Sequence, residues 1–255
     1  LGYIFDCPAE DSRIAVNPMK SLLLADDRHD LLATLEPVLK HWGYRVLTAT
    51  DASRASAFLT ASKPAMLLIG SNLLDAPQLL LPEPTPPLLV LDHPAIPSKT
   101  PAAHPVLGVP IDIFALFSFI QSRVEQHPRQ NLRLRLRLPG MYRLKGEQFV
   151  LTEVLSLSMH GLFFRSPLRL AIGDRVAAVF PLLGHGRELE IDGNVLYTIE
   201  PVAANNYAQG FAMGFNTLTP EQSALLGQFL EESLLNEVSA RPAGVGAFSA
   251  AHLRR

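Results

Sequence analysis

The sequence predicts two folded units in one chain: an α/β unit on a parallel sheet, then an antiparallel β-barrel or sandwich followed by a helix. Three observations carry this reading. Between residues 19 and 126, short apolar runs alternate with stretches of helical period. Within residues 127–138 the period drops to two, with Arg133, Arg135 and Arg137 alternating with Leu134, Leu136 and Leu138. Thr219-Pro220-Glu221-Gln222 carries a helix start: a capping Thr, a Pro at the first helical position and a Gln three residues on.

The elements follow in order. Lys20 to Ala25 holds a leucine triplet and reads as a buried strand. Asp30 to Trp42 spaces Leu31, Leu32, Leu35, Val38 and Leu39 as one helical face, and Gly43 stops it. Tyr44 to Ala49 is a second strand. Asp51 N-caps a second helix that runs to Ala61. Ala65 to Ile69 is a third strand. Residues 71–110 contain ten of the 21 prolines, so the short strands Leu88–Leu91 and Val106–Val109 are joined by segments too proline-rich for full helices. Ile111 to Gln126 is an amphipathic helix with Ile113, Phe114, Leu116, Phe117 and Ile120 on its apolar side. After the arginine strand come strands at Phe149–Leu157, Gly161–Arg165, Arg175–Leu182, Glu188–Thr198 and Tyr207–Phe215. The last helix runs from Thr219 to about Val238. Residues 1–18 read as a flexible leader with Met19 as the natural start, and residues 239–255, rich in Ala and Gly, as a flexible tail.

Composition narrows the function classes. Hydrophobic residues make up 48% of the chain, enough for buried cores. A single cysteine, Cys7, excludes a disulfide framework and any multi-cysteine metal or redox motif. No apolar run approaches the ~18 residues of a spanning helix, and the expectation is a cytoplasmic protein. The net charge of −2 weighs against a general nucleic-acid binder. It conceals a split: residues 1–126 hold 9 basic and 13 acidic residues, residues 127–255 hold 13 and 11. The histidines show no metal-ligand spacing, and no nucleophile–base pair or cofactor fingerprint is present, so neither a resident cofactor nor an enzyme is expected.

Residues 19–126 resemble the response-regulator receiver domain, a flavodoxin-like α/β fold. Asp26 and Asp27, directly after the first strand, carry the likeness; in that family such a pair binds the divalent metal of phosphoryl transfer. The family also needs an acceptor Asp at the end of the third strand, where this chain has Gly70, Ser71 and Asn72. It needs a Lys before a Pro after the fifth strand, where Val109 precedes Pro110. Asp92 stands where a Ser or Thr follows the fourth strand. Without the acceptor no carboxylate oxygen takes up a phosphoryl group, and without the Lys no cation balances it. The acidic pair then reads as a solvated strand end that caps the following helix. The unit is expected to be a packing or dimerisation module that docks a protein partner.

Residues 127–238 resemble PilZ, a bacterial cyclic di-GMP receptor domain: a six-stranded barrel with a C-terminal helix. Arg129-Gln130-Asn131-Leu132-Arg133 matches the family's Arg-x-x-x-Arg at the start of the first strand. Ser156-Leu157-Ser158-Met159-His160-Gly161 fits Asp/Asn-x-Ser-x-x-Gly except at its first position. Gly214-Phe215 and the capped helix complete the match. The implied ligand is cyclic di-GMP, and the implied site residues are Arg129, Arg133, Ser156, Ser158 and Gly161. The chemistry agrees, because guanidinium forks pair bidentately with phosphate or with the O6/N7 edge of guanine and stack on the base. Six basic residues and no acidic one lie between Gln126 and Gly146. Ser156, a hydroxyl in place of Asp or Asn, addresses a guanine edge less well. Arg135 and Arg137 read as a solvated strand face, His160 as an exposed turn residue, and Phe163 and Phe164 as core.

The leading expectation is thus a non-enzymatic cyclic di-GMP receptor of the kind tied to motility and biofilm formation, with a pseudo-receiver that cannot be phosphorylated. A ligand-free scaffold and a single-strand nucleic-acid binder using the arginine strand are the rivals.

Overall fold

A computed structural model of the protein describes residues 19–92, 104–203, 209–239 and Leu253. The expected leader therefore lies outside the described residues, as does the expected tail apart from Ser239 and Leu253.

The first unit is a five-stranded parallel sheet in the order β2-β1-β3-β4-β5, the flavodoxin-like order. Its strands are β1 (Ser21–Ala25), β2 (Arg45–Ala49), β3 (Met66–Gly70), β4 (Leu88–Asp92) and β5 (Val106–Gly108). Alternate side chains leave opposite faces of each strand. Leu22 and Leu24 of β1, with Met66 and Leu68 of β3, pack under α1 (His29–His41) and α4 (Ile113–Val124). Leu23 and Ala25, with Leu67 and Ile69, pack under α2 (Ala52–Ser62) through Ala55 and Leu59. That is why β1 and β3 are continuous apolar runs: both faces are covered. Asp51 caps α2 by accepting from the Arg54 amide at 2.8 Å. Among the described residues of the proline-rich stretch the only helix is α3, a four-residue turn at Ser71–Leu74.

The second unit closes into a six-stranded barrel, β10-β11-β8-β7-β6-β9, which decides between barrel and sandwich. Its strands are β6 (Arg133–Leu144), β7 (Val150–Ser158), β8 (Gly161–Arg165), β9 (Arg175–Leu182), β10 (Arg187–Ile199) and β11 (Gly210–Phe215). The leucines of the alternating run turn inward, and Leu134 and Leu138 are buried while Arg133, Arg135 and Arg137 are exposed. Tyr142, Phe164 and Phe211 fill the barrel as a three-ring cluster with centroids 5.0–5.5 Å apart. The one polar atom this brings inside is satisfied: the Tyr142 hydroxyl lies 2.7 Å from Ser166 Oγ.

Helix α5 (Pro220–Ser239) starts with a reciprocal capping box: the Gln222 amide donates to Thr219 Oγ1 at 3.1 Å, and the Thr219 amide donates to Gln222 Oε1 at 2.9 Å. Leu226, Leu230, Leu234 and Val238 form its buried stripe. This helix packs against α1, and it meets the barrel through a shared apolar core and a Gln222 Nε2 hydrogen bond to the Glu190 carbonyl. The apolar core under α1 and α4 is therefore continuous with the barrel core. Leu253 joins the same core, buried and paired as a parallel bridge with Ile111.

Candidate functional site

The cross-strand register gathers four of the predicted site residues, Arg133, Ser156, Ser158 and Gly161, on one outer face of the barrel, while Arg129 precedes β6. Arg133 pairs with Ser158, and Ser158 pairs in turn with Gly161. One step along, Arg135 pairs with Ser156 and Ser156 with Phe163. Residues directly opposite share a face, so these form two adjacent rows. Register shifts interrupt β6 between Arg135 and Leu138, and β7 between Val154 and Ser156. Bulges of this kind bend the strands and re-aim the side chains beside them.

Each row residue has its own local duty. Ser158 is buried and donates from Oγ to the Gly161 carbonyl at 3.0 Å, while its Oγ accepts from the His160 amide at 3.4 Å. Its hydroxyl proton closes the β7–β8 turn, which leaves it an acceptor for any ligand. Gly161 is buried where β8 passes β11, and a Cβ there would sit 2.4 Å from the Met213 carbonyl oxygen. Close strand approach requires this glycine. His160 is exposed, and Phe163 and Phe164 are buried, as their sequence context implied.

A cleft of about 670 Å³ lies between the barrel and the α/β unit. Arg129, Arg133 and Arg135 line its barrel side, and Lys20, Trp42 and Tyr44 line its α/β side, with Gln121 of α4 and Glu125 just past its end at the junction. Ser156, Ser158 and Gly161 are beside this lining in register but are not part of it. Arg135 is exposed, as expected of the solvated strand face, and it also lines the cleft. The volume falls within the roughly 300–1,000 Å³ typical of small-molecule sites.

Charge in the cleft is unevenly matched. Among the described residues no carboxylate pairs with Arg129, Arg133 or Arg135. Glu125, by contrast, is committed: it pairs with Lys20 Nζ at 2.8 Å and accepts from the Tyr44 hydroxyl at 3.0 Å. Burial, reinforced by the Glu125 carboxylate, pushes the Tyr44 phenol far above its ordinary value. Gln121 joins this group to the arginine segment. Its Nε2 donates to the Tyr44 oxygen at 3.0 Å, and its Oε1 accepts from the Arg129 amide at 2.9 Å. Sequence reasoning missed Lys20, Trp42, Tyr44 and Gln121. Only Gln121 left a signal, as a polar residue in the buried stripe of α4.

The carboxyl end of the parallel sheet corrects one expectation. Asp26 is not a solvated strand end; it is fully buried. Arg28 covers it with a bidentate pair, Nε to Oδ1 at 2.8 Å and Nη2 to Oδ2 at 2.7 Å, and the Arg28 amide also donates to Oδ1. The same guanidinium reaches the carbonyls of Leu91 and Asp92 at the end of β4. Asp27 alone is exposed.

Comparison with known proteins places the second unit. Residues 126–232 match the PilZ domain family model. Among solved structures, the chain is similar to the Bacillus subtilis inhibitor of motility (MotI/DgrA) at 16% identity and TM-score 0.36, covering 42% of this chain and 52% of that one. It is similar to the K. pneumonia MrkH–c-di-GMP complex at 19% identity and TM-score 0.41, covering 46% and 57%. It is similar to the c-di-GMP-bound PilZ domain of YcgR from Escherichia coli at 17% identity and TM-score 0.36, covering 45% and 96%. The chain spans about half the length of the first two. No curated protein matches it. Residues 126–232 are a PilZ domain, carried in one chain with a preceding flavodoxin-like α/β unit.

Proposed function

We propose that the chain is a non-enzymatic receptor for cyclic di-GMP, with the α/β unit serving as an interaction module for a protein partner or a second copy of the chain. The observation that carries this is the cleft: three arginines without carboxylate partners among the described residues line about 670 Å³ of space within a PilZ domain's reach. Two phosphodiesters and two guanines supply the acceptors those forks need. Arg129 and Arg133 clamp the ligand, and Arg135 adds charge on the same wall. Ser158, with its proton held by the Gly161 carbonyl, accepts from a guanine N–H rather than donating to a phosphate. Ser156 and Gly161 complete the edge of the site. Capture of the ligand by the arginine segment changes how the barrel meets the α/β unit, and a protein partner reads the altered surface in a cytoplasmic signalling role.

Calorimetric titration of the intact protein with cyclic di-GMP tests this. Binding is expected, with at least a tenfold loss in Arg129→Ala and in Arg133→Ala. Unchanged affinity in both variants would sink the site assignment.

A ligand-free scaffold is favoured by one observation: Ser156 and Ser158 do not line the cleft, and the Ser158 proton closes a turn. Absence of any binding heat up to about 100 μM ligand, a Kd range beyond which affinity is very weak, selects that reading.

A further inference from the structure

Helix α4 buries Leu116, Phe117, Ile120 and Gln121 on one face, so a primary amide interrupts an otherwise apolar stripe. Burial of an amide costs free energy unless its hydrogen bonds are made. Gln121 makes them in two directions. Its nitrogen is donated to Tyr44, at the start of β2 in the α/β unit, and its oxygen receives the backbone N–H of Arg129, in the segment that leads into β6. Tyr44 is itself held by Glu125, and Glu125 by Lys20, which also donates to the Val124 carbonyl at 2.6 Å. The result is an unbroken run of hydrogen bonds from the amino end of β1 to the main chain of Arg129. Arg129 is exposed, and this backbone bond is what fixes the position from which its side chain enters the cleft.

We propose that Tyr44 and Gln121 are positioning residues of the ligand site: they hold the Arg129 segment on the cleft wall in advance of binding, and they report its capture to the α/β unit. The proposal rests on the cyclic di-GMP reading above and deepens it. A clamp residue fixed beforehand loses less conformational entropy when it meets its ligand, so affinity is partly set by two residues that do not belong to the PilZ domain's barrel. The coupling is reciprocal: if the latch raises ligand affinity, the ligand must stabilise the latch by the same factor. A reporter is built in. Trp42 is the chain's only tryptophan, it lines the cleft two residues before Tyr44, and its ring packs edge-on against Phe117 of α4 at 5.1 Å.

The test uses the full chain, cyclic di-GMP, calorimetry and Trp42 emission. Gln121→Met removes both hydrogen bonds at nearly constant length. Tyr44→Phe removes the Gln121–Tyr44 and Tyr44–Glu125 bonds but keeps the ring and the Gln121–Arg129 bond, so it serves if Gln121→Met fails to fold. Each is measured alone and combined with Arg129→Lys, which retains charge and measurable binding but loses the fork. The expected result is about tenfold weaker binding for Gln121→Met and about threefold for Tyr44→Phe in the wild-type background. In the Arg129→Lys background both losses shrink to below twofold, because there is no fork left to position. Trp42 emission shifts on ligand addition in the wild type, and the shift is reduced in Gln121→Met. Equal losses in the two backgrounds, or no loss in either, overturn the positioning role while leaving the receptor reading intact. No binding by the wild type overturns the receptor reading and this inference with it.

Discussion

Arg28 lies over the buried carboxylate of Asp26 with two hydrogen bonds of 2.8 and 2.7 Å, and it reaches across to the end of β4. Asp26 is fully buried, and that guanidinium contacts both of its carboxylate oxygens. Arg28→Met is expected to destabilise the protein by about 3–5 kcal/mol, the usual cost of stranding one partner of a buried pair. Asp26→Asn combined with Arg28→Met should recover most of it, because no charge is left unpaired. Urea unfolding at neutral pH measures both, and equal stability of the single and double variants contradicts the account.

Restoring a carboxylate at the end of β3 should not restore phosphoryl acceptance. A Cβ on Gly70 would lie 2.5 Å from Asp26 Oδ2 and 2.7 Å from Asn72 Oδ1, and the space beyond is already held by Arg28. Gly70→Asp is therefore expected to lower stability and to give no adduct with acetyl phosphate by intact mass. A phosphorylated Gly70→Asp protein would show that the Arg28 cover opens readily.

Gly161→Ala tests the strand approach directly. The added Cβ meets the Met213 backbone carbonyl at 2.4 Å, and a main-chain oxygen cannot swing aside as a flexible side chain can. A loss of about 1–3 kcal/mol is expected, as for other overpacked interiors. Thermal unfolding reports it, and a midpoint within a degree of wild type would mean that β8 and β11 can separate without cost.

The Tyr44 phenol gives the protein an alkaline weakness of known sign. Its folded-state value is raised by burial and by Glu125, so the native protein keeps the proton longer than the unfolded chain does. Below the unfolded value of about 10 both states are protonated, so the contribution of this group is fully present and does not change with pH. Above it the unfolded chain ionises first, and stability falls by up to about 1.4 kcal/mol per pH unit until the folded value is reached. Tyr44→Phe should be the less stable protein at pH 8 and should converge with wild type as pH rises above 10. Urea unfolding across pH 8 to 11.5 checks this; parallel curves for the two proteins would contradict it.

The layered part of the fold was legible in the sequence because local rules and packing agree there. The leucine runs of β1 and β3 required cover on both faces, and the Arg/Leu alternation of β6 fixed which side of that strand faces the barrel. Asp51, Thr219 and Gln222 announced their caps by type and spacing alone. The cleft was only half legible. Arg129 and Arg133 sit in a motif, but Trp42 and Tyr44 belong to a different unit and acquire their place only when α1 packs on α5. Asp26 was misread because nothing in the local pattern shows that an arginine two residues on folds back over it. Arg135 is exposed as the alternation implied, but its place beside the cleft left no mark, because an exposed strand residue and one at the edge of a cleft have the same alternation.

The barrel and the α/β unit meet at more than the chain near residue 126: α5 packs on α1, Gln121 holds the Arg129 amide, and Leu253 lies buried against Ile111. A body fastened at several places cannot drift away as a bead on a string would. Each wall of the cleft meets the other at high effective concentration whether or not anything lies between them. Binding free energy is then not used to gather the walls, and it acts only on their small relative displacements. Whatever enters the cleft therefore meets walls already set face to face.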